Sequence, residues 1–377
     1  MTRTARPPDI ILTVRLRDPR EQLYALACGA MFVFGLVLSL PGTVLGLLIG
    51  SFTSGPLVDA LGQRTSLLVY SALVGVCLPL FGASTSMAGA VVSLAAIGLV
   101  SAGVNTAANA LASDTFPHER GRRMNGIAVM VGLGGLAMPL ATAATAGTLS
   151  WRAVVNMAGL LAIAIAAAGM LAPTAARPQG GGAPLRAMRG FLTQRRFGAF
   201  CLLLLLAGAN EASVAGWTST YLGTEGFTAS HATLALASHW LGLVCGRLAF
   251  SRRVDRNKRV AVIRGALGVV LGIIVLATTR ESLVLGIMPF VIGLALSIVM
   301  PTLLAMAGER FTGNAGTLFG LLLTLAQVGG IVVPALVGSV ADRLGVRVGL
   351  LVIAASALVV AVVARTAGAP SPSATRT

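Results

Sequence analysis

The sequence predicts an all-α polytopic membrane protein with two pseudo-symmetric six-helix bundles. Of its 377 residues, 56% are apolar and only 11% are charged, whereas a soluble domain carries roughly 25% charged residues. Long apolar runs recur along the chain, and helices are the spanning elements that fit them, because a membrane barrel would show alternating polarity. The two halves of the sequence also resemble each other at a near-constant offset.

Turn residues divide the apolar runs into twelve predicted spans. The first run, residues 21–60, is long for one span of about 20 residues and short for two, and Pro41-Gly42 lies in its middle. We expect two spans here, with a single tilted helix, and eleven spans in all, as the alternative. The predicted spans are 21–40, 42–60, 66–84, 87–112, 125–147, 152–173, 198–222, 230–251, 260–279, 283–308, 314–338 and 348–367.

Four regions follow from these spans. We expect a cytoplasmic tail at residues 1–20, a first bundle at 21–173, a cytoplasmic linker at 174–197 and a second bundle at 198–377. The linker is basic and holds Gly180-Gly181-Gly182, which predicts a flexible segment.

The basic residues predict the orientation in the membrane. The net charge is +16, but the cations form short clusters on alternate connections rather than a nucleic-acid-binding stripe. With the tail inside, 24 of the 28 Lys and Arg residues fall on the inner side. This bias predicts cytoplasmic termini in a cell (inner or plasma) membrane. The cysteines lie within apolar runs at no metal-binding spacing, so no metal site is expected.

The internal repeat has an offset of 195 or 196 residues. The matched segments are Ile97-Gly98-Leu99 with Ile292-Gly293-Leu294, Phe116 with Phe311, Gly134-Gly135 with Gly329-Gly330, Pro139 with Pro334, Arg152 with Arg347, and Gly50 to Asp59 with Gly246 to Asp255. The consistent offset indicates a duplication. The first half is nevertheless about 20 residues short within spans 1 and 2, so either this hairpin is shortened or a span is lost.

A G-x-x-x-D-x-x-G-x-R corner follows span 2, formed by Gly55, Asp59, Gly62 and Arg64. With the repeated halves and basic linker, this corner resembles the major facilitator superfamily over nearly the whole chain. Its second-half copy keeps Arg247 and Asp255 but replaces the glycine after the acid. Asp59, at the end of its helix, is expected to face helix N-termini and Arg side chains at the boundary between the halves. The resemblance implies that this cluster holds the outward-open state. A solvated loop charge is the alternative.

Span 5 and its repeat contain residues that favour close helix packing. Small residues let transmembrane helices approach; the candidates are Gly134, Gly135, Pro139, Gly329, Gly330 and Pro334. A drug-antiporter signature would have Gly-Pro together followed by paired glycines. Met138 precedes Pro139 instead, which argues against that branch.

Glu211 is the one acid predicted well inside a span. A carboxylate in the bilayer core is costly and usually functional or paired, so Glu211 is a candidate for proton coupling or substrate binding. A structural hydrogen bond is the alternative. Span 7, with Gly208, Glu211, Trp217 and Tyr221, resembles the fucose-type sugar/proton symporter branch.

Further polar residues within spans are candidates for a solute site. Asn210, Trp217 and Tyr221 share one helical face, which suits a sugar, although Trp217 and Tyr221 also suit lipid or interface positions. The other candidates are His239, Asn105, Asn109 and Gln327. Each has an ordinary structural role as its alternative, including interhelical hydrogen bonding.

These residues predict a secondary active transporter that moves a small organic solute, with a sugar favoured, by alternating access. Proton coupling would rest on the second half. A drug or metabolite efflux antiporter and a non-transporting membrane sensor are the alternatives. No nucleotide motif or catalytic constellation is evident, so no cofactor and no enzymatic activity are expected, and the protein is expected to be a monomer in the lipid bilayer.

Overall fold

A computed structural model describes residues 18–38, 40, 43–145, 148–172 and 184–367. These residues form helices and connecting turns, with no strand among them. Within the described ranges, twelve helices are long and apolar enough to cross a membrane, counting Ser282–Arg310 as one span. The protein is therefore an all-α polytopic membrane protein, as predicted.

The helices of the first half are α1 (Pro19–Leu38), α2 (Val44–Leu61), α3 (Gln63–Ala83), α4 (Met87–Thr115), α5 (Arg120–Ala144) and α6 (Trp151–Met170). A short helix α7 (Pro184–Leu192) precedes the second half. That half contains α8 (Arg195–Thr224), α9 (Ala229–Val254), α10 (Lys258–Thr278), α11 (Ser282–Leu296), α12 (Val299–Arg310), α13 (Ala315–Leu344) and α14 (Val346–Ala367).

Most of the described turns between helices lie at one of two ends of the molecule. We call the end where α2 meets α3 the Asp59 end and the end where α6 begins the Arg152 end. Gly62 forms the predicted tight turn, since its φ of 86° suits glycine. At the Arg152 end, Ser86 and Ser150 cap α4 and α6 by accepting hydrogen bonds from backbone N–H groups three residues on.

The run at residues 21–60 contains two helices, so the alternative of a single tilted helix is wrong. The α1–α2 hairpin is shortened and no span is lost. Its helices have 20 and 18 residues, whereas α8 and α9 have 30 and 26. Pro41 and Gly42 lie outside the described residues.

The linker is partly helical, which corrects the expectation of a flexible segment at residues 184–192. The ring of Phe191 on α7 stacks on Phe197 at 5.7 Å and meets the edge of Phe311 at 6.1 Å between ring centroids. Burial of these rings anchors α7 to the second half. Gly180, Gly181 and Gly182 lie outside the described residues.

A proline interrupts the tenth span. Pro301 has no N–H to donate to the carbonyl oxygen of Ser297, four residues earlier, and the span divides at Ser297 and Ile298 into α11 and α12. The corresponding first-half helix, α4, carries Thr106 at this position and is continuous. The interruption leaves a carbonyl oxygen available inside the second half.

Candidate solute cavity and clamps between the halves

A cavity of about 300 Å³ lies between the two halves. Its apolar wall includes Met31, Phe34 and Leu38 of α1, and its second-half wall includes Trp240 and Leu304. The polar side chains that line it are Asn105, Asn109, Glu211, Arg247 and Gln327. A few polar groups in an apolar enclosure are typical of a small-molecule site.

The cavity contains an ion pair between Glu211 and Arg247. The Nη2 atom of Arg247 lies 3.4 Å from Oε1 of Glu211. The Arg247 side chain is 4% exposed and that of Glu211 is 24% exposed, so the carboxylate is the partner that a solute or proton can reach. Partners are expected for charges within a membrane, because an isolated one is costly.

Backbone carbonyls hold Arg247 from both halves. Its Nε donates to Ser297 O at 3.1 Å, the carbonyl that Pro301 leaves without its helical donor. Its Nη1 donates to Ala128 O on α5 at 2.8 Å. Arg247 therefore joins the cavity carboxylate to the α5–α9 boundary, and a change at Glu211 can affect contact between the halves.

Three amides contribute the remaining polar lining. Asn109 Nδ2 donates to the Asn105 side-chain oxygen at 2.8 Å and to its backbone oxygen at 2.9 Å. The two asparagines thus form a local pair on α4. Gln327 lines the cavity from α13, where its amide can reach a bound solute.

The expectation that Asn210 and Trp217 face the solute is corrected by their contacts. Asn210 is buried and its side-chain oxygen accepts a hydrogen bond from Ser356. Trp217 Nε1 donates to Pro334 O at 3.1 Å. Neither lines the cavity. Asn210 is one residue from Glu211 along α8, a rotation of about 100°, and Trp217 is six residues from it, a net rotation of about 240°.

His239 and Tyr221 also point away from the cavity. His239 is fully buried and its Nδ1 lies 3.4 Å from Pro289 O. Tyr221 is buried and donates to Leu276 O at 2.7 Å, which corrects its assignment to an interfacial belt. The contacts of both residues stabilise the second half.

Asp59 forms a clamp across the halves. Its carboxylate accepts hydrogen bonds from Gly316 N and Thr317 N, each at 2.8 Å, and from the Thr317 hydroxyl at 2.6 Å. These donors lie at the N-terminus of α13, where a negative charge is stabilised by unpaired N–H groups and the helix dipole. The predicted meeting with a helix N-terminus is present.

Asp255 forms the repeat-related clamp. Its carboxylate accepts from Gly121 N and Arg122 N, each at 3.0 Å, at the N-terminus of α5. Lys258, which replaces the motif glycine, bridges Asp255 at 2.8 Å and Glu309 at 2.9 Å. Two clamps therefore close the Asp59 end.

Arg64, the last residue of the corner, binds within its own half. It donates to the carbonyl oxygens of Gly169 and Met170 at the C-terminus of α6, at 3.1 and 2.9 Å. Positive charge is favourable at a helix C-terminus. Gly55 lies in the same clamp region as Asp59, since a Cβ added there would be 2.8 Å from Gly316 O.

Close packing requires only some of the predicted glycines. A Cβ added to Gly134 would lie 2.1 Å from Phe32 O, and one added to Gly329 would lie 1.9 Å from Leu205 O. At Gly135 and Gly330 the nearest atoms would be 3.9 and 3.3 Å away. Pro334 supplies the carbonyl that Trp217 binds, and the side chain of Pro139 lies outside the described part of the structure.

Sequence reasoning missed Arg247 as the partner of Glu211, because it grouped Arg247 with the Asp255 corner. Arg247 lies eight residues before Asp255, about 12 Å deeper along a helix. Glu211 and Arg247 lie on consecutive antiparallel helices joined by the turn at 225–228. Glu211 lies 14 residues before that turn and Arg247 lies 19 residues after it, a difference of about 7.5 Å along the helices that the long Arg side chain spans.

The comparisons with known proteins agree with this architecture. The family model described as Major Facilitator Superfamily matches residues 24–334, and again 200–376. The chain belongs to the Major Facilitator Superfamily. No curated protein matches the sequence.

Solved structures of superfamily members share the fold. FucP, a Major Facilitator Superfamily transporter in the outward conformation, aligns with a TM-score of 0.77 and 17% identity over 92% of this chain and 99% of FucP. The human organic anion transporter MFSD10 (TETRAN) aligns with a TM-score of 0.77 and 18% identity over 92% and 100%. A structure of the E. coli fucose:proton symporter FucP aligns with a TM-score of 0.73 and 17% identity over 92% and 98%. These similarities show the fold of this chain.

Proposed function

We propose that this superfamily member is a secondary active transporter that moves a small organic solute by alternating access, coupled to protons through Glu211. The observation that carries the proposal is the Glu211–Arg247 pair inside the cavity between the halves. Protonation of Glu211 removes its attraction for Arg247, which also donates across the boundary to Ala128 O. A proton and a solute thereby influence the same contact between halves.

The two clamps support a rocking motion of the halves. Each consists of one carboxylate on a helix N-terminus of the opposite half, and such bonds can break and re-form as a unit. We place the Asp59 end at the cytoplasm because the Lys and Arg residues concentrate there. On that orientation the structure is the outward-facing state. The two six-helix bundles, 21–173 and 198–377, are the moving bodies.

The cavity lining favours a mainly apolar solute with a polar group over a sugar. Its walls are formed by Met, Phe, Leu and Ile side chains around the amides and the ion pair. A sugar would leave its many hydroxyl groups without enough partners. Asn210 and Trp217, which favoured a sugar, lie outside the lining.

Counterflow in liposomes tests transport directly. Liposomes that contain the purified protein are loaded with candidate solutes, and uptake of the labelled solute is measured across a panel of sugars, organic acids and hydrophobic drugs. Saturable counterflow is expected for at least one amphiphilic solute, and its apparent KM is expected to rise roughly tenfold in Asn109→Ala, about the effect of one lost hydrogen bond to a solute.

Asn210→Ala is the matched control, because Asn210 is also a buried amide within a span but binds Ser356 outside the cavity. Its KM should remain unchanged. Absence of saturable counterflow for every solute in a correctly folded preparation would contradict the proposal and favour the non-transporting sensor, which the shortened hairpin suggests. The apolar lining is also compatible with the alternative, a drug or metabolite efflux antiporter that would move its solute out of the cell.

A further inference from the structure

Equivalent close contacts in the two halves show which residues of α1 and α2 correspond to residues of α8 and α9. A Cβ added to Gly35 would lie 2.2 Å from Val131 O, and one added to Gly208 would lie 2.4 Å from Ala326 O. Val131 and Ala326, whose backbone oxygens make these contacts, are separated by the repeat offset of 195. Gly35 of α1 therefore corresponds to Gly208 of α8. The ring contacts agree, since Tyr24 packs on Phe116 as Phe197 packs on Phe311.

The same reasoning places the start of α2. A Cβ on Gly98 would meet Thr43 O at 2.1 Å, and a Cβ on Gly293 would meet His239 O at 2.2 Å. Thr43 thus corresponds to His239. Only eight residues separate Gly35 from Thr43, whereas 31 separate Gly208 from His239, and the missing segment therefore lies between these anchor points.

The end of α1 and the start of α2 consequently lie near the middle of the membrane. Helix α8 continues 16 residues beyond Gly208, about 24 Å at 1.5 Å per residue, while α1 ends three residues beyond Gly35. Helix α9 starts ten residues before His239, about 15 Å away, while α2 starts immediately after Thr43. The last residue of α1, Leu38, corresponds to Glu211.

The outer part of α4 has lost its cover as a result. In the second half, α9 packs on α11, where Leu285 and Pro289 are buried. Their counterparts on α4 are Ala90 and Leu94, and no residue of α4 from position 87 to position 96 is buried. Farther along, Ile97 and Ile292 are both fully buried, so the loss of burial on α4 is confined to the part beyond the ends of α1 and α2. We call the gap beside residues 87–96 of α4, beyond Leu38 and Thr43, the notch.

The rim of the notch is apolar on its outer face. Leu45, Val92 and Ile331 are 62%, 68% and 41% exposed. The turn has its own hydrogen bonds, since Leu40 N donates to Val37 O and the Thr43 hydroxyl donates to Leu40 O. Irregular backbone at this depth is tolerated where it lines a water-filled cavity. Leu38 and Phe34 line the cavity from this side.

We propose that the cavity opens sideways through the notch into the lipid leaflet at the Arg152 end, and that the solute is an amphiphile. Its polar head would bind at Glu211, Asn109 and Gln327, and its alkyl chain would pass over Leu38 into the leaflet. This inference rests on the proposed transport function and names the class of solute and its route of entry.

Spin-label accessibility tests the notch without any transport. In a variant with the four native cysteines replaced by alanine, a nitroxide is attached at Leu94→Cys in phosphatidylcholine liposomes. We expect it to be reached by oxygen and protected from a water-soluble nickel complex, as at the lipid-facing control Leu45→Cys. Access by the nickel complex as at Thr85→Cys, an exposed turn residue, would overturn lateral entry, and so would protection from both reagents.

A second measurement keeps the four cysteines. Trp240 lines the cavity and remains the sole tryptophan after Trp151→Phe and Trp217→Phe. Its fluorescence should be lower in liposomes of brominated phosphatidylcholine than in unbrominated lipid, because acyl chains reach the cavity through the notch. Equal fluorescence in the two lipids would overturn the proposal. A protein that fails counterflow can still pass both tests, and one that transports can fail them, so the two proposals are separable.

Discussion

The two halves of the molecule agree at the Asp59 end and diverge towards the Arg152 end. Asp59 and Asp255 bind the N-termini of α13 and α5 through positions one repeat apart. Around mid-depth, in the part of the chain that the structure describes, only the second half carries a charged pair, Glu211 and Arg247. Beyond it, the second half has full-length α8 and α9, whereas the first half has a shortened hairpin. Each half contributes one clamp carboxylate, but among the described residues only the second half contributes charged side chains to the cavity.

The two halves therefore contribute different chemical groups to the cavity. The counterpart of Glu211 is Leu38 and the counterpart of Arg247 is Ser51, at offsets fixed by the glycine contacts. The first half therefore supplies one apolar wall and the asparagine pair, while the second half supplies the Glu211–Arg247 ion pair and a second apolar wall. The following predictions test this comparison, from the largest expected effect to the smallest.

Arg247→Met should destabilise the protein by about 3 kcal/mol, since it removes the donor to Glu211, Ala128 O and Ser297 O in a buried site. Thermal unfolding in detergent measures this change. Ser51→Ala is the repeat-related control, and should change stability by less than about 0.5 kcal/mol, because the Ser51 hydroxyl is buried with no hydrogen-bond partner among described residues. Similar effects of the two substitutions would show that the halves do not differ as described.

Gly134→Ala and Gly329→Ala should each destabilise the protein by about 2 kcal/mol, because the new methyl group would collide with a backbone oxygen of the facing helix. Gly135→Ala has room and should be nearly neutral. Gly330→Ala should cost less than Gly329→Ala, because the Ala212 methyl group 3.3 Å from the new Cβ would have to shift only slightly. Thermal unfolding of all four variants checks the repeat in both halves at once. A large effect at Gly135 or a neutral result at Gly134 would contradict the assigned helix faces.

Asp59→Asn should weaken the closed Asp59 end by about 1.4 kcal/mol, a tenfold change in the population of that state. The amide keeps the size but loses the charge that accepts three hydrogen bonds at α13. Distances between spin labels at Leu61 and Arg310, exposed at this end, should lengthen. Asp255→Asn should give a smaller shift, since Asp255 accepts two such bonds; an unchanged distance distribution in Asp59→Asn would refute the clamp.

The ion pair between Glu225 and Arg347 should stabilise the second half by an amount that depends on pH in the acid range. The hydrogen bond from Arg347 to Glu225, 2.9 Å from Nε to Oε1, holds the pKa of this carboxyl below its usual value. The contribution is present above the unfolded pKa of about 4.3 and is lost as the pH falls through the lower folded pKa.

The repeat-related Arg152 binds carbonyl oxygens of Gly82 and Ser84 instead, so it has no such dependence. Unfolding temperatures measured across the acid range should lose part of their pH dependence in Glu225→Gln and keep it in Arg152→Gln. The opposite pattern would contradict the assignment of these two pairs.

The fold and the Asp59 clamp could be predicted from sequence because they depend on features that recur along the chain. Apolar runs give the spans, and the repeat offset relates Asp59 to Asp255. The shortened hairpin was also visible, since it depends only on counting residues between matched positions.

The lining of the cavity could not be predicted in the same way. Asn210 and Glu211 are neighbours in sequence, but helix rotation directs one to Ser356 and the other to the cavity. The pairing of Glu211 with Arg247 depends on the tilt and depth of two helices, and the helix at 184–192 depends on burial of Phe191 against Phe197 and Phe311. These are tertiary contacts that a single sequence does not specify.

The central claim is that Glu211 couples a proton to solute movement, and proton-gradient-driven accumulation in liposomes tests it most directly. Wild-type protein and Glu211→Gln are compared for uphill accumulation and for counterflow of a solute that shows saturable counterflow in the panel. We predict that Glu211→Gln loses uphill accumulation while retaining counterflow. Undiminished uphill accumulation by Glu211→Gln would contradict proton coupling through this carboxylate.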